Sequence, residues 1–226
     1  MNPLEKLDEV TTADGRALTL YRRSGYYFIK IDGRDLMSSQ THGSEEALAR
    51  LACQQLGAVR APRVLIGGLG IGYTLRAALD RLPREARVVV AEVFPEVVRW
   101  NRQWLGPLAQ HPLRDPRVVV EEQDVYRLLQ GEGDDGDYHL ILLDVDNGPE
   151  ALTLRANKRI YSDAGLRRLA QSLTRPGVLA IWSATPDRRF TARMRKVGLE
   201  VRCETARARS GGKGSRHAIF LATRAR

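Results

Sequence analysis

The chain has 226 residues, enough for one large domain or one domain with a small extension. Hydrophobic residues make up 43% and charged residues 28%, which is typical of a globular protein with its own core. No apolar run approaches the roughly 18 residues of a membrane-spanning helix, and the polar N-terminus lacks a secretory signal. Two distant cysteines and four scattered histidines exclude a disulfide scaffold and a Cys/His metal site. We therefore expect a cytoplasmic protein with no metal and no membrane partner.

The net charge of +9 is unevenly distributed along the chain. From Arg155 to Arg226 there are 18 basic and 4 acidic residues, so this stretch carries +14, whereas the first 154 residues carry −5. Such asymmetry can mark a surface that binds nucleic acid. The basic segment Ala206–Arg216 contains no aromatic residue that could stack on a base, so we favour a solvated surface over a nucleic-acid site.

The first sixty residues predict a small antiparallel β-meander followed by a helix. The short β-prone runs, separated by Ser24-Gly25 and Asp32-Gly33, are Ala17–Tyr21, Tyr26–Ile31 and Asp35–Ser38. The helix follows, with Ser44 as its N-cap, acids in its first turn and an end at Gly57. We place a domain boundary ahead of this helix, between an N-terminal β extension, residues 1–43, and the main domain, residues 44–226.

From Pro62 onward, predicted strands alternate with predicted helices. The strands are rich in Val, Leu and Ile: Arg63–Ile66, Arg87–Ala91, Arg117–Val120, His139–Leu143 and Val178–Trp182. The helices are Tyr73–Leu82, Pro95–Leu105, Val125–Gln130, Ala164–Leu173 and Arg188–Val197. This alternation favours an α/β fold with a doubly wound, mostly parallel sheet. A terminal hairpin, Leu199–Glu204 with His217–Ala222, is expected to close one sheet edge, and Arg207–Arg216 to form a mobile loop.

The strongest chemical signal is a predicted strand that leads directly into a glycine-rich turn and a helix. The turn contains Gly67, Gly68, Gly70 and Gly72, which allow a tight turn and close approach of a ligand. It follows the first parallel strand, where open α/β sheets bind ligands. The spacing matches neither a P-loop nor a strict dinucleotide fingerprint. It therefore predicts a nucleoside ligand and favours an adenosyl sulfonium donor.

Acids after the next two strands support a nucleoside site. Glu92 ends the strand Arg87–Ala91 and is predicted to accept hydrogen bonds from ribose hydroxyls. Asp124 follows the third strand and is predicted to bind an adenine amine, with Val125 packed on the ring. Asp124 can also cap the helix that starts at Val125, and the two roles are compatible.

Two further acids, Asp144 and Asp146, follow the strand His139–Leu143. Because side chains alternate along an extended strand, both carboxylates are expected on the same side. Paired carboxylates can hold a cationic acceptor and accept its proton as it attacks. The alternative is that one acid caps the next helix while the other is solvated. We favour the catalytic role because this strand end faces the same crevice as the glycine turn.

Together these motifs resemble the spermidine synthase (polyamine aminopropyltransferase) family. The resemblance covers roughly residues 15–205 and rests on the β-meander and on Ile66–Gly72, Glu92, Gln123–Val125 and Asp144–Pro149. It implies a seven-stranded, Rossmann-like fold of the class I S-adenosylmethionine-dependent methyltransferase type. It also implies that the glycine loop cradles decarboxylated S-adenosylmethionine, with Glu92 on the ribose and Asp124 on adenine. By the same resemblance, Asp144 would activate the acceptor amine and Asp146 would help to bind it.

The chain departs from this family in the glycine loop. The family carries an Asp there that grips the amine of the transferred aminopropyl group, whereas Leu69, Gly70 and Ile71 carry no charge. The segment Thr41–Glu46 replaces the family's Tyr-His-Glu, and the acidic strand end lacks its Asp-Ser-x-Asp-Pro pattern. An ammonium group without a matched carboxylate is costly to bury, so we expect no preference for the decarboxylated donor. Glu45 or Glu46 could supply the missing acid.

The sequence therefore predicts a transferase that binds S-adenosylmethionine or a relative, such as its decarboxylated form or methylthioadenosine. It would transfer an alkyl group to a small-molecule acceptor, with an amine as one candidate. Two alternatives stay open: an S-adenosylmethionine-dependent methyltransferase acting on RNA or another anionic substrate, and a non-catalytic nucleoside-binding protein. The sequence also leaves open whether the protein forms a homo-oligomer.

Overall fold

The N-terminal part of the protein is a four-stranded antiparallel sheet. The computed structural model describes residues 3–131, 138–145, 158–209 and 213–224. The strands, which pair in chain order, are β1 (Glu5–Thr11), β2 (Ala17–Arg23), β3 (Tyr26–Ile31) and β4 (Arg34–Ser38). Both residues of the turns Ser24-Gly25 and Asp32-Gly33 have positive φ, as tight hairpin turns require. The predicted meander is confirmed, with β1 as an additional strand.

The main sheet is mostly parallel and has seven strands within the described ranges. They are β5 (Arg63–Gly67), β6 (Arg87–Ala91), β7 (Val118–Glu121), β8 (Tyr138–Leu143), β9 (Leu173–Ser183), β10 (Leu199–Arg209) and β11 (Lys213–Arg224). Their order is β10-β11-β9-β8-β5-β6-β7, in which β11 pairs antiparallel with both of its neighbours, β10 and β9, and the other pairs are parallel. The predicted Rossmann-like, seven-stranded fold is therefore confirmed.

Helices cover both faces of this sheet because alternate strand residues are buried on opposite sides. The helices are α1 (Gly43–Leu56), α2 (Tyr73–Leu79), α3 (Pro95–Trp100), α4 (Val125–Leu129), α5 (Asp163–Ser172) and α6 (Arg188–Lys196). A π-helical turn, Asn101–Leu105, continues α3. On one face Ile66 and Leu142 pack in a cluster with Leu48 of α1, and on the other Leu65 and Ile141 join the cluster of α5 and α6. Within the described residues, no helix is long and apolar enough to cross a membrane.

The N-terminal sheet shares a hydrophobic cluster with the main sheet. Leu18, Leu20 and Ile29 are almost completely buried and belong to the same cluster as Ile66 and Leu48. The extension and the main sheet therefore share one hydrophobic core. The domain boundary between residues 43 and 44 stays a prediction.

Two local predictions are wrong. Helix α1 begins at Gly43, so Ser44 lies inside it, and the Ser44 hydroxyl contacts other side chains instead of capping the helix. The predicted mobile loop Arg207–Arg216 lies largely in β10 and β11, where Arg207 pairs with Arg216. Long-range strand pairing overrides the low β-propensity of Gly214 and Ser215 in β11.

Candidate active site

The glycine turn lies against the end of β8. Gly68 has a φ of 88°, and a Cβ atom at this position would lie 2.3 Å from the carbonyl oxygen of Asp144. The backbone N–H of Asp144 also donates to the carbonyl oxygen of Gly67 at 2.9 Å. Because a side chain at residue 68 would clash with backbone, this close approach requires glycine. The structure thus brings the glycine turn and Asp144 to one edge of the sheet.

Three surrounding elements hold the glycine turn in place. The N–H of Leu69 donates to Oε2 of Glu92 at 2.9 Å, and Nδ2 of Asn101 donates to the carbonyl of Gly70 at 2.7 Å. The N–H of Ile71 points at the sulfur of Met37, 3.2 Å away, in β4 of the N-terminal sheet. The turn is therefore fixed before any ligand binds.

Glu92 is a buried carboxylate with backbone partners on both oxygens. It is 6% exposed, and its Oε1 accepts the N–H of Phe94 at 3.0 Å while Oε2 accepts that of Leu69. Burial raises the pKa of Glu92, and the backbone N–H donors oppose this increase. A role for Glu92 in binding ribose hydroxyls stays a prediction.

The adenine side of the predicted site is also structurally constrained. Oδ1 of Asp124 accepts the N–H of Tyr126 at 2.7 Å, so Asp124 does cap α4. Val125 is 5% exposed and packs beside Gly67, where an added Cβ would lie 3.2 Å from Cγ2 of Val125. Gly67 is therefore a close-packed position. Roles for Asp124, Val125 and Gly67 in ligand binding stay predictions.

Asp144 lies at the end of β8 with a side-chain hydroxyl as its partner. Its Oδ2 accepts a hydrogen bond from Oγ1 of Thr74, in the first turn of α2, at 2.7 Å. Burial raises the pKa of Asp144 to about 6, and the hydrogen bond from Thr74 opposes this increase. A carboxylate with a pKa close to neutrality suits a general base. Asp146, the second predicted acid, lies outside the described residues.

Glu45 is a second acid beside Asp144. Burial raises its pKa to about 8, and the negative charge of Asp144 contributes to the same increase. The hydroxyl of Ser44 donates to Oε2 of Glu45 at 2.8 Å. The neighbouring Glu46 instead contacts Nδ1 of His42 at 2.9 Å. Of the two acids that the sequence offered as replacements for the missing loop acid, Glu45 is therefore the one near Asp144.

Three residues that shape the site were not predicted from the sequence. Thr74 holds Asp144, Met37 contacts the glycine turn, and His217 reaches Ser44 from β11. Thr74 could have been found, since it is a hydroxyl residue two positions after the last glycine of the turn. Met37 and His217 arrive from distant segments and carry no local signal. In the parts of the chain that the structure describes, no three His, Cys, Asp or Glu side chains group as metal ligands.

Known proteins similar to this chain support the resemblance. No protein-family model matches the chain. It is 26% identical over 124 residues to the polyamine aminopropyltransferase of Prochlorococcus marinus (strain MIT 9312). This segment covers 55% of the present chain and 41% of the relative, so less than half of the relative's length is matched.

Solved structures of spermidine synthases share the fold across nearly the whole chain. The spermidine synthase from Thermotoga maritima has a TM-score of 0.76 at 16% identity, covering 98% of this chain and 73% of that one. A spermidine synthase in complex with the transition-state analogue AdoDATO has a TM-score of 0.77 at 17% identity, covering 98% and 74%. A probable spermidine synthase from Corynebacterium glutamicum ATCC 13032 has a TM-score of 0.65 at 15% identity, covering 99% of this chain and 81% of that one. The chain therefore has the spermidine synthase fold.

Proposed function

We propose that this protein is a spermidine synthase-like transferase that binds an adenosyl sulfonium donor and transfers an alkyl group to an amine. The observation that carries the proposal is the direct contact between the glycine turn and Asp144, at one edge of the sheet. A donor cradled by the turn would present its sulfonium next to a carboxylate that can serve the acceptor. The names of the relatives, polyamine aminopropyltransferase and spermidine synthase, support the same class.

The donor would be held by residues that the fold already fixes. Gly68, Gly70 and Gly72 line the turn, Glu92 would accept the ribose hydroxyls, and Asp124 would accept the adenine amine. The relative bound to AdoDATO favours decarboxylated S-adenosylmethionine as the co-substrate. The uncharged turn offers no group that would exclude intact S-adenosylmethionine. Both donors share the nucleoside, so this part of the proposal is the same for either.

The chemistry assigned to Asp144 is that of a general base. Its carboxylate accepts a proton from the acceptor ammonium, and the resulting amine lone pair attacks the carbon attached to the sulfonium. The new C–N bond forms as the C–S bond breaks, and the bond electrons return to sulfur as a neutral thioether. The positive charge thus moves from sulfur to the product nitrogen. Holding both reactants in line supplies most of the remaining acceleration.

The basic C-terminal third supports a small acceptor better than RNA. Arg193 donates to the carbonyl of Tyr161, Arg195 to that of Val201, and Arg224 to that of Leu173. These guanidinium groups join α6 to the segment ahead of α5 and to β10, and they join β11 to β9, so they are used within the fold. The observation favours a structural use of these arginines over a phosphate-binding surface.

A thermal-shift panel tests the proposal. S-adenosylmethionine, its decarboxylated form, methylthioadenosine and S-adenosylhomocysteine are compared, with NAD as the control nucleotide. At a hundredfold excess over Kd, a ligand of the native state adds about 2.7 kcal/mol of stability. For a chain of this size we expect Tm to rise by about 5–10 °C with adenosyl ligands but not with NAD. No shift with any of the four adenosyl compounds would contradict the proposal.

A further inference from the structure

A cavity of about 350 Å³ opens between α1 and α2, a volume within the range of small-molecule sites. It is deep because the side chains at its floor are small and buried: Ala47, Ala77 and Ala109. Its third wall is the 3₁₀ turn Gly106–Ala109 with the residue that follows. Of the proposed donor and acceptor residues that the structure describes, Glu92, Asp124 and Asp144 do not line it. The cavity is therefore separate from the proposed active site.

The two helices place equivalent residues on opposite walls of the cavity. At the start of α1 and α2, the rings of His42 and Tyr73 stack with their centroids 4.2 Å apart. Each helix lines the cavity from this stack onward, so the two helices run in the same direction. Arg50 and Arg81 also line the cavity, and each lies eight residues after the ring on its own wall. These two arginines are therefore at the same end of the cavity.

The guanidinium groups at this end have donors to spare. Among the residues that the structure describes, no hydrogen bond or ion pair engages the side chain of Arg50. Arg81 donates from Nη1 to the main-chain oxygen of Ala77 at 3.0 Å, which leaves its other N–H groups available. Burial raises the pKa of Cys53 to about 11, and the charge of Arg81 opposes this increase. Because Cys53 follows Arg50 by three residues on α1, the positive charge of Arg81 reaches the opposite wall.

The acids that line the cavity have partners of their own. Oε1 of Glu46 lies 2.9 Å from Nδ1 of His42, one helical turn away. Oδ1 of Asp80 accepts a hydrogen bond from Nη2 of Arg76, the third arginine of the cavity. The unpaired charge is therefore positive, and it is concentrated at the end with the two arginines described above.

The third wall adds a polar side chain on a strained backbone. Gln110 lines the cavity with a φ of 55°, and the next residue, His111, has a φ of 52°. Two successive non-glycine residues in the left-handed region are unfavourable, and such strain is concentrated at ligand-binding positions. The turn thereby places an amide, a neutral hydrogen-bond donor, on this wall.

We propose that the cavity binds a small organic phosphate, with its phosphate group between the guanidinium groups of Arg50 and Arg81. A guanidinium presents its N–H donors in one plane and pairs with phosphate oxygens two at a time. Two such charges match the charge of about −1.5 to −2 on a phosphate monoester better than the single charge of a carboxylate. Gln110 supplies a further donor, and the volume toward the His42–Tyr73 stack holds the organic part. The site is independent of the proposed function, because it uses none of the donor or acceptor residues.

Calorimetry with inorganic pyrophosphate as the probe tests the site at constant ionic strength. Wild type should bind a single equivalent. Arg50→Gln should bind about tenfold more weakly, which is the scale of one charge-assisted contact. Arg50 is exposed, so this variant should keep the Tm of wild type.

Arg84→Gln is the matched control. Arg84 is exposed and follows Arg81 by three residues, but it does not line the cavity. Its affinity for pyrophosphate should equal that of wild type. An equal loss in Arg50→Gln and Arg84→Gln would show attraction to positive surface charge in general, and it would overturn the site.

Gln110→Gly separates binding from folding. Glycine adopts a positive φ without strain, so the Tm of this variant should not fall. Removal of the amide should nevertheless weaken pyrophosphate binding severalfold. Unchanged affinity would remove Gln110 from the proposed site.

Chemical modification locates the bound anion in the wild-type chain. Phenylglyoxal reacts with accessible guanidinium groups, and mass spectrometry of the peptides measures the extent of reaction at each arginine. Pyrophosphate should protect Arg50 and Arg81 and leave Arg84 reactive. Protection of all three arginines alike, or of none at saturating pyrophosphate, would overturn the proposal.

Discussion

The buried carboxylates on the two sides of the proposed site have different hydrogen-bond donors. On the nucleoside side, Glu92 accepts backbone N–H groups from Leu69 and Phe94. On the acceptor side, the partners of Asp144 and Glu45 are the hydroxyl groups of Thr74 and Ser44. Burial raises the pKa on both sides, but main-chain N–H donors oppose this increase at Glu92, whereas the Thr74 hydroxyl opposes it at Asp144. The difference shows that the donors around an acid, and not its burial, separate a rigid binding group from one ready to exchange a proton.

The largest expected loss of turnover follows from replacing Asp144 on the acceptor side. Asp144→Asn keeps the shape of the side chain but removes its charge and its capacity to take a proton. If Asp144 is the base, turnover should fall about 10²–10⁴-fold while donor affinity changes little. Steady-state kinetics and calorimetry with methylthioadenosine measure the two quantities separately.

A matched substitution controls for the loss of an acid elsewhere. Asp35→Asn removes a carboxylate that pairs with Lys30 on the N-terminal sheet, at 3.0 Å. Its turnover should equal that of wild type. Near-normal turnover in Asp144→Asn would refute the base role, whereas a parallel loss of donor affinity would indicate a structural one.

The nucleoside side should respond in both affinity and stability. Glu92→Ala removes the proposed ribose contact and leaves the N–H groups of Leu69 and Phe94 without their acceptor. We expect a loss of about 1–3 kcal/mol in methylthioadenosine affinity and a similar loss of folding stability. Glu85→Ala, at an exposed position, should change neither quantity. A Glu92→Ala protein with wild-type affinity would show that Glu92 only supports the turn.

Replacing Glu45 should stabilise the free protein at neutral pH. Its pKa is raised from 4.5 to about 8, so the unfolded chain ionises first and stability is lost as the pH rises between these values. Glu45→Gln avoids that cost, and its advantage in Tm over wild type should grow across this pH window. We expect about 1 kcal/mol, or roughly 2–4 °C. A variant less stable than wild type at pH 8 would contradict an uncompensated acid at this position.

Donor choice should show the smallest effect. The uncharged turn neither grips an aminopropyl ammonium nor repels a carboxylate, so decarboxylated and intact S-adenosylmethionine should compete within about tenfold. A preference near a hundredfold for the decarboxylated donor would contradict this and indicate that Glu45 reaches the donor. The variant Met37→Ala/Gly70→Asp should increase the preference. Met37 must change too, because its Cε would lie 2.3 Å from a Cβ at residue 70.

The sequence predicts the parts of the fold that local hydrophobic pattern determines. Val88, Val90 and Leu142 lie in continuous apolar runs, which identify buried parallel strands directly. Strand β1 is charged and has no buried residue, so only its pairing with β2 makes it a strand. The same applies to Arg207 and Arg216, whose pairing depends on the register of two long strands. Such non-local pairing has no signature in composition.

The candidate site also contains some residues that the sequence predicts and others that it does not. Glu92 and Asp144 each follow an apolar strand, so their positions at the sheet edge can be predicted from the chain. Glu45 and Asp144 are far apart in sequence, and the effect of the Asp144 charge on the pKa of Glu45 arises only when α1 packs beside β8. The contact of Met37 with the turn depends on how the N-terminal sheet docks. Residues that act through the packing of separate elements could therefore be identified only from the structure.

In the proposed reaction, one sheet edge brings an adenosyl sulfonium donor to an amine activated by Asp144. The most direct measurement incubates the protein with decarboxylated S-adenosylmethionine and putrescine, and quantifies both products by mass spectrometry. We expect spermidine and methylthioadenosine to form in equal amounts, and Asp144→Asn to reduce both together. Bound nucleoside without any alkylated amine, from either the decarboxylated or the intact donor, would contradict it and identify a non-catalytic nucleoside-binding protein.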